Sequence, residues 1–239
     1  LSRNKKPEVR LVFLTSPVYE KKLSPYLAWP NVTLEFIEKW EPKGKLQKIF
    51  QFFYSYLIFT ATTRILATFG ARADIPPAGG NRHLAPLKWL VANTFGRFRW
   101  VKTKLVPWLY EQIFRDRPYA KLFEKYQPKL VFAPNAAFFP DIELIAEARR
   151  RGIKSTGMAV NWDHLNKYFI PQRADYLLVQ NEPMQREAVK YHAYEKDKIF
   201  LVGFPQFAQY LLPEKNLIAR KEFCSKFGIP NEHKIVLFI

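Results

Sequence analysis

The sequence has a single cysteine, Cys224. One cysteine excludes a disulfide framework and any cysteine-built zinc site, and it fits a reducing compartment. No charged start leads into an apolar stretch with a small-residue cleavage site, so no signal peptide is evident; the first residue, Leu1, leaves room for a segment upstream. One run, residues 49–61 (IFQFFYSYLIFTA), is nearly all apolar, but its thirteen residues fall short of the roughly 20 a membrane-spanning helix needs. Also missing are a P-loop, a GxGxxG fingerprint, a nucleophile elbow and an HExxH pair. Gly79-Gly80 lacks the strand and helix flanks of a phosphate loop, so a nucleotide would have its main site elsewhere. No cofactor and no metal are expected.

Acidic residues are scarce and unevenly placed: the whole chain has 38 Lys and Arg against 21 Asp and Glu. Residues 1–130 hold 23 of those bases and 9 of the acids, and residues 43–129 alone hold 16 bases against 4 acids. Such a field attracts polyanions or an anionic membrane surface and does not determine the fold. With 48% hydrophobic and 16% aromatic residues, the 239-residue chain has ample material for a core, and its composition argues against disorder.

Short apolar runs closed by Pro, Asn or Gly read as strands: residues 9–14, 32–37, 130–133, 153–158, 176–179 and 199–202. The first is expected to be buried on both faces of a parallel sheet. Helical patterns lie between them. Residues 141–151 (DIELIAEARRR) put acids first, arginines last and Gly152 just beyond, as dipole and C-cap favour. Residues 182–192 and 217–227 predict two more helices. This alternation implies βαβ units, an α/β fold with a Rossmann-like, doubly wound parallel sheet. Residues 43–127 break the rhythm as a long, basic, aromatic-rich helical insertion. Within it residues 74–82 read as a loop, and a helix over 100–126 is expected to break near Pro107 and Pro118. The domain is placed at 1–212, with a linker near Pro213. The apolar residues 234–239 (KIVLFI) then read as the opening strand of a second domain that the sequence cuts short.

Ligands of open α/β sheets bind beyond the carboxyl ends of the strands. The residues just past those ends include Ser16, Lys39, Asn135, Asn161-Trp162-Asp163-His164, Asn181-Glu182 and Gly203-Phe204-Pro205-Gln206. In the first tetrapeptide a carboxylate stands ready to orient an imidazole acting as general base; the structural alternative has Trp162 in the core and Asp163 capping the next turn. Gly203 and Pro205 serve equally for a ligand approach or a turn, and Asn181 for a ligand or a helix cap. His192 and His233 read as surface residues, and His83 as a lone histidine in a loop.

Residues 161–165 (NWDHL), 175–182 (DYLLVQNE), 187–192 (EAVKYH) and 199–207 (IFLVGFPQF) resemble the later part of the N-terminal domain of GT-B-fold glycosyltransferases. The branch that includes CDP-glycerol glycerophosphotransferases, UDP-N-acetylglucosamine 2-epimerase-like proteins and surface-carbohydrate enzymes is the most similar. Relatives there often read Ser-Trp-Asp-Asn-Leu at the first motif, where this chain has Asn161 and His164. The resemblance covers about a quarter of the chain. It implies a cytoplasmic transferase, peripheral at the inner face of the membrane, whose nucleotide-activated sugar or polyol donor is held mainly by a C-terminal domain. The present half would hold a glycan or lipid-linked acceptor, with Asp163 and His164 catalytic and Ser16, Asn135, Asn161, Trp162, Asn181, Glu182, Gly203 and Gln206 binding substrate; alone it is expected to be inactive. The rival expectations are a sugar-nucleotide epimerase and an interfacial module that docks residues 43–129 on anionic lipid. Nucleic-acid binding has the basic charge and interleaved aromatics in its favour, but no RNP-type or helix-turn-helix motif.

Overall fold

The computed structural model describes residues 9–23, 30–38, 40–69, 85–207 and 218–236. It is an α/β structure with parallel sheets. Strands β1 (Leu11–Thr15) and β2 (Val32–Phe36) form one parallel pair; β3 (Leu130–Ala133), β4 (Lys154–Met158), β5 (Tyr176–Val179) and β6 (Ile199–Leu201) form a four-stranded parallel sheet in that order. Between β1 and β2 lie a 3-10 turn and α1 (Glu20–Leu23). Next come α2 (Lys45–Ser55), α3 (Ala61–Phe69), α4 (Ala85–Asn93), α5 (Val106–Ile113) and α6 (Ala120–Tyr126). Helix α7 (Asp141–Arg150) joins β3 to β4, and α8 (Glu182–His192) joins β5 to β6.

The chain divides into two compact units, Leu1–Leu201 and Val202–Ile239, where the sequence had placed the boundary at 212–213. The predicted linker and the loop at 74–82 lie outside the described residues, as do Lys39 and His83. In the second unit α9 (Arg220–Lys226) buries Cys224, and the Arg220 guanidinium donates to the carbonyls of Asn231 and His233. The expected strand at 234–239 is not formed where it is described: residues 234–236 are exposed and have no strand partner, with Val236 almost fully in solvent.

Adjacent crossovers that advance in one direction across a parallel sheet bring their helices to one face. Helix α7 packs on β3 and β4, and α8 on β5 and β6. The covered face buries Ala133, Leu177, Val179 and Ile199 with Ile145, Met184 and Ala188. In-register neighbours of a parallel sheet project to the same face, and on the opposite one Leu130, Phe132 and Phe200 remain 58%, 52% and 48% exposed. Leu11 and Phe13 of β1 are exposed as well. The expectation that β1 is buried on both faces is therefore wrong: its residues alternate between a covered and an open side.

Helix α7 is the centre of the first unit. All residues from Asp141 to Ala148 are buried, because three apolar clusters surround the helix. Ile145 faces the sheet. Ile142 and Ala146 meet a block formed by Phe50 and Tyr54 of α2 with Val106, Tyr110 and Phe114; Tyr110 and Phe114 stack with centroids 4.2 Å apart. Leu144 and Ala148 pack under Tyr119 and Phe123 beside α6. The 49–61 run is thus divided: α2 turns Phe50 and Tyr54 inward while Ile49 and Phe52 stay exposed.

Burying the acids of α7 requires partners. Asp141 accepts the Asn135 backbone N–H at 2.5 Å, Glu143 accepts the Tyr110 hydroxyl at 2.5 Å, and Glu147 accepts two bonds from Arg117 (2.6 and 2.9 Å) and one from Arg151 (2.6 Å). Arg117 reaches Glu147 from a left-handed conformation, φ +43°, a strain of about 1 kcal/mol or more that the bidentate pair offsets. The break after α5 falls here, at 114–117 before Pro118. Pro107 does not break the helix, contrary to expectation. A π-helical turn, Val101–Leu105, directly precedes it, and its i→i+5 pattern relieves the missing N–H and the ring clash that proline brings to an α-helix.

Burial pushes the Glu143 carboxyl up to about 7, against the opposing Tyr110 hydrogen bond. A raised carboxyl binds its proton more tightly in the fold than unfolded. Its stabilising contribution is full below the ordinary value of 4.5 and is lost as pH rises through about 7. Glu143→Gln, which keeps an acceptor for Tyr110, is therefore expected to gain on the order of 2 kcal/mol relative to wild type on going from pH 5 to pH 8. Urea unfolding of both proteins at the two pH values measures this; a stability difference that does not change with pH contradicts it.

Candidate functional site

The carboxyl ends of β3, β4 and β5 form one rim, fastened by short polar links. After β3 the chain turns over β4, with Ala136 N–H donating to the Met158 carbonyl at 3.1 Å. Gly157 permits this approach, since a Cβ there would lie 2.9 Å from that of Ala136. After β5 the Gln180 amide donates to the carbonyls of Ala159 and Val160. Asn181 then caps α8, its Oδ1 accepting the Met184 N–H at 3.0 Å, with Pro183 in the first turn. Capping thus accounts for Asn181, and the exposed Glu182 pairs with Arg186 along the helix surface at 3.6 Å.

The 161–164 segment lies between these links. Trp162 is 65% exposed and does not fill the core. Asp163 neither caps a turn nor orients the imidazole; its carboxylate is taken by Lys167, four residues on. His164 is half-buried. Its Nε2 meets the Asn161 side-chain amide at 3.1 Å, and its ring packs between Phe138 and Tyr168, with centroids 5.2 and 5.6 Å away. Burial lowers its pKa, so the imidazole is neutral at physiological pH. Nδ1 of His164 is buried without a hydrogen-bond partner, as are Oδ1 of Asn135, Oδ1 of Asn166, Oε1 of Gln180 and Oε2 of Glu187. Buried polar atoms are rarely left so, and these five lie on the rim or on the connections that leave it.

The structure therefore brings Asn135, Asn161, Trp162, Asp163 and His164 to one edge with Asn181 and Glu182. Ser16 ends β1 in the other sheet and opens a 3-10 turn without a side-chain capping bond; among the described residues no hydrogen bond links it to this rim. Gly203, at φ +71°, and the exposed Gln206 belong to the second unit. Sequence reasoning missed Phe138, Tyr168 and Gln180. The first two are aromatics in irregular segments, and the third is a strand-end amide one residue before the cap that drew attention. Among the described residues no cluster of His, Cys, Asp and Glu can hold a metal, and no helix is long and apolar enough to cross a membrane.

His192 is not a surface residue. It is fully buried at the end of α8, where Nε2 donates to the Leu165 carbonyl at 2.7 Å and Nδ1 accepts the Ile170 N–H at 3.3 Å. It thereby pins the segment that follows the 161–164 turn. At the opposite, amino-terminal ends of β4–β6 a cavity of about 370 Å³ is lined by Lys154, Arg173, Asp175 and Lys198; there Asp175 ties the strand starts together through Lys154 and the Ser155 N–H. Comparison of the chain with protein-family models, with curated proteins and with solved structures finds no match.

Burial depresses His192 to about 4. The unfolded chain thus takes up its proton first, and this residue's contribution is lost as pH falls from 6.5 toward 4. His192→Phe leaves the Leu165 carbonyl and Ile170 N–H unpaired, and a loss of about 2 kcal/mol or more is expected. Amide exchange should show Ile170 opening far faster in the variant; unchanged protection there contradicts the pinning role.

Proposed function

We propose that this chain is the acceptor-side portion of a GT-B-type transferase. The reaction moves a sugar or polyol-phosphate group from a nucleotide-activated donor to a hydroxyl of a cell-envelope glycan or lipid-linked acceptor. One observation carries the reading: His164, neutral and half-buried, sits at the carboxyl-end rim of a parallel sheet with an exposed tryptophan beside it. That rim is where ligands of open α/β sheets bind. The residues that resemble the family, 161–165 and 175–182, are the ones that build it.

In this reading the two parallel sheets belong to a Rossmann-like, doubly wound domain, and the helical block of residues 43–127 is an insertion that braces it. The donor is held mainly by the second domain that the resemblance implies. The protein works on the cytoplasmic side, at the inner face of the membrane.

The chemistry assigned to these residues is general-base catalysis. With the Asn161 amide donating to Nε2, that nitrogen carries the lone pair. An acceptor hydroxyl that displaces the amide gives its proton to Nε2 as its oxygen attacks the donor, and the nucleotide leaves with the bonding electrons of the cleaved bond. Burial keeps the resulting imidazolium acidic and so quick to release the proton. Asn161 is then free to hold the acceptor oxygen, Trp162 offers a face for a sugar ring, and Asp163 positions the turn through Lys167.

Nucleotide release from a panel of nucleotide-activated sugars and polyols, in the protein carrying this chain, tests the assignment. His164→Ala should lower turnover by about a hundredfold or more, and Asp163→Asn by less than about tenfold. Full activity in His164→Ala, or isomerised donor with no nucleotide released, contradicts it.

A further inference from the structure

Away from the strand-end rim, a second cavity of about 350 Å³ opens between the turn after α2, the end of α4 and the last turn of α8. Its charged lining residues are all cationic: Arg97, Arg99, Lys102 and Lys190. Glu195 pairs with Arg99 at 3.3 Å from outside the lining, and both of those side chains are more than half exposed.

Lys102 is the unusual member. It is 6% exposed, and among the described residues its ammonium has neither an ion pair nor a hydrogen-bond acceptor. A buried lysine without a counter-charge carries an uncompensated desolvation cost. Burial pushes it down to about 8, so it remains mostly charged at neutral pH. It sits in the π-helical turn Val101–Leu105, a form of helix often found at functional sites.

The surroundings are built rather than incidental. Gly96 is wedged against the cavity floor, where a Cβ would meet the Leu57 carbonyl at 2.5 Å, so only glycine fits. Asn93 holds the Arg97 guanidinium at 3.0 Å, and Lys190 lies over the Tyr191 ring. Around it Trp89, Phe95, Phe98 and Trp100 are each about half exposed.

We propose that this cavity is a binding site for a phosphate-ester group, with Lys102 as its inner ligand and Arg97, Arg99 and Lys190 at its mouth. Several cationic donors converging without a carboxylate suit a phosphate's spread of acceptor oxygens. The group comes either from a soluble phosphate ester or from the headgroup of an anionic lipid whose bilayer the exposed aromatics would meet. The site does not depend on the transferase reading.

The test compares wild type with Lys102→Met and Arg97→Gln, and with Lys104→Met as a control that removes an equal charge from an exposed position of the same turn. One arm titrates inorganic pyrophosphate by calorimetry. The other floats the protein with phosphatidylcholine vesicles containing or lacking phosphatidic acid. Lys102→Met is expected to weaken binding by about tenfold or more and Arg97→Gln by about threefold, with Lys104→Met within about twofold of wild type. Loss in the pyrophosphate arm alone identifies a soluble ester, and loss in the vesicle arm alone identifies a lipid; both support the site. Wild-type protein that binds neither probe, or Lys102→Met and Lys104→Met behaving alike in both arms, overturns it.

Discussion

The fold depends on neutralising the carboxylates of one buried helix. Helix α7 lies between the sheet and the helical block with Asp141, Glu143 and Glu147 all out of solvent. An unpaired acid there would cost several kcal/mol. Besides Arg151 at the end of the helix itself, the partners come from three places: the turn after β3, helix α5, and the segment that leads into α6. Meeting the helix's electrostatic demand therefore also fixes where those segments sit. For Glu147, hydrogen bonds from Arg117 and Arg151 overcome the upward push of burial and hold the carboxyl down to about 2. For Glu143 burial prevails, and the group sits near neutrality instead.

From that constraint the strand-end rim follows. Asp141 holds the Asn135 N–H, which fixes the turn that lays Phe138 against His164 and Tyr168. The segment that follows His164 is held in turn by His192 from α8, through Leu165 and Ile170, and by the Thr60 hydroxyl, which donates to the Asn166 carbonyl at 2.8 Å. The imidazole of His164 is thus supported from three directions while Asn161 and Trp162 stay open to solvent. A rigid imidazole beside solvent-open polar and aromatic groups is the arrangement that the group transfer proposed above calls for.

Much of the architecture was legible in the sequence. Residues 130–133 and 176–179 show as strands because apolar runs end at proline or at polar residues. Helix α8 was placed to the residue because Asn181, Pro183 and the basic last turn are local signals with local causes. Gly152, at φ +67°, ends α7 as its position predicted. What could not be read depends on partners far away in sequence. The acids of α7 look like a dipole-favoured first turn until Tyr110 and Arg117, some 30 residues earlier, are seen to hold them. His192 looks like a solvated helix end until it meets the carbonyl of Leu165. Asp163, read as a group able to orient the imidazole, instead pairs with Lys167 four residues on, a charged partner that residue-type reasoning did not weigh.

The surplus positive charge of the first 130 residues has a structural place as well. Part of it is spent inside, on Glu147 through Arg117. Part lines the cavity around Lys102. The most direct test of the account is a double-mutant cycle across the bond that joins the helical block to α7, using Tyr110→Phe, Glu143→Leu (which leaves no acceptor) and the double variant in urea unfolding at pH 8. If the buried carboxylates couple the block to the sheet, the two substitutions should be non-additive by about 1 kcal/mol or more. Additivity within about 0.5 kcal/mol would mean that the block is held by apolar packing alone, and the central claim would be wrong.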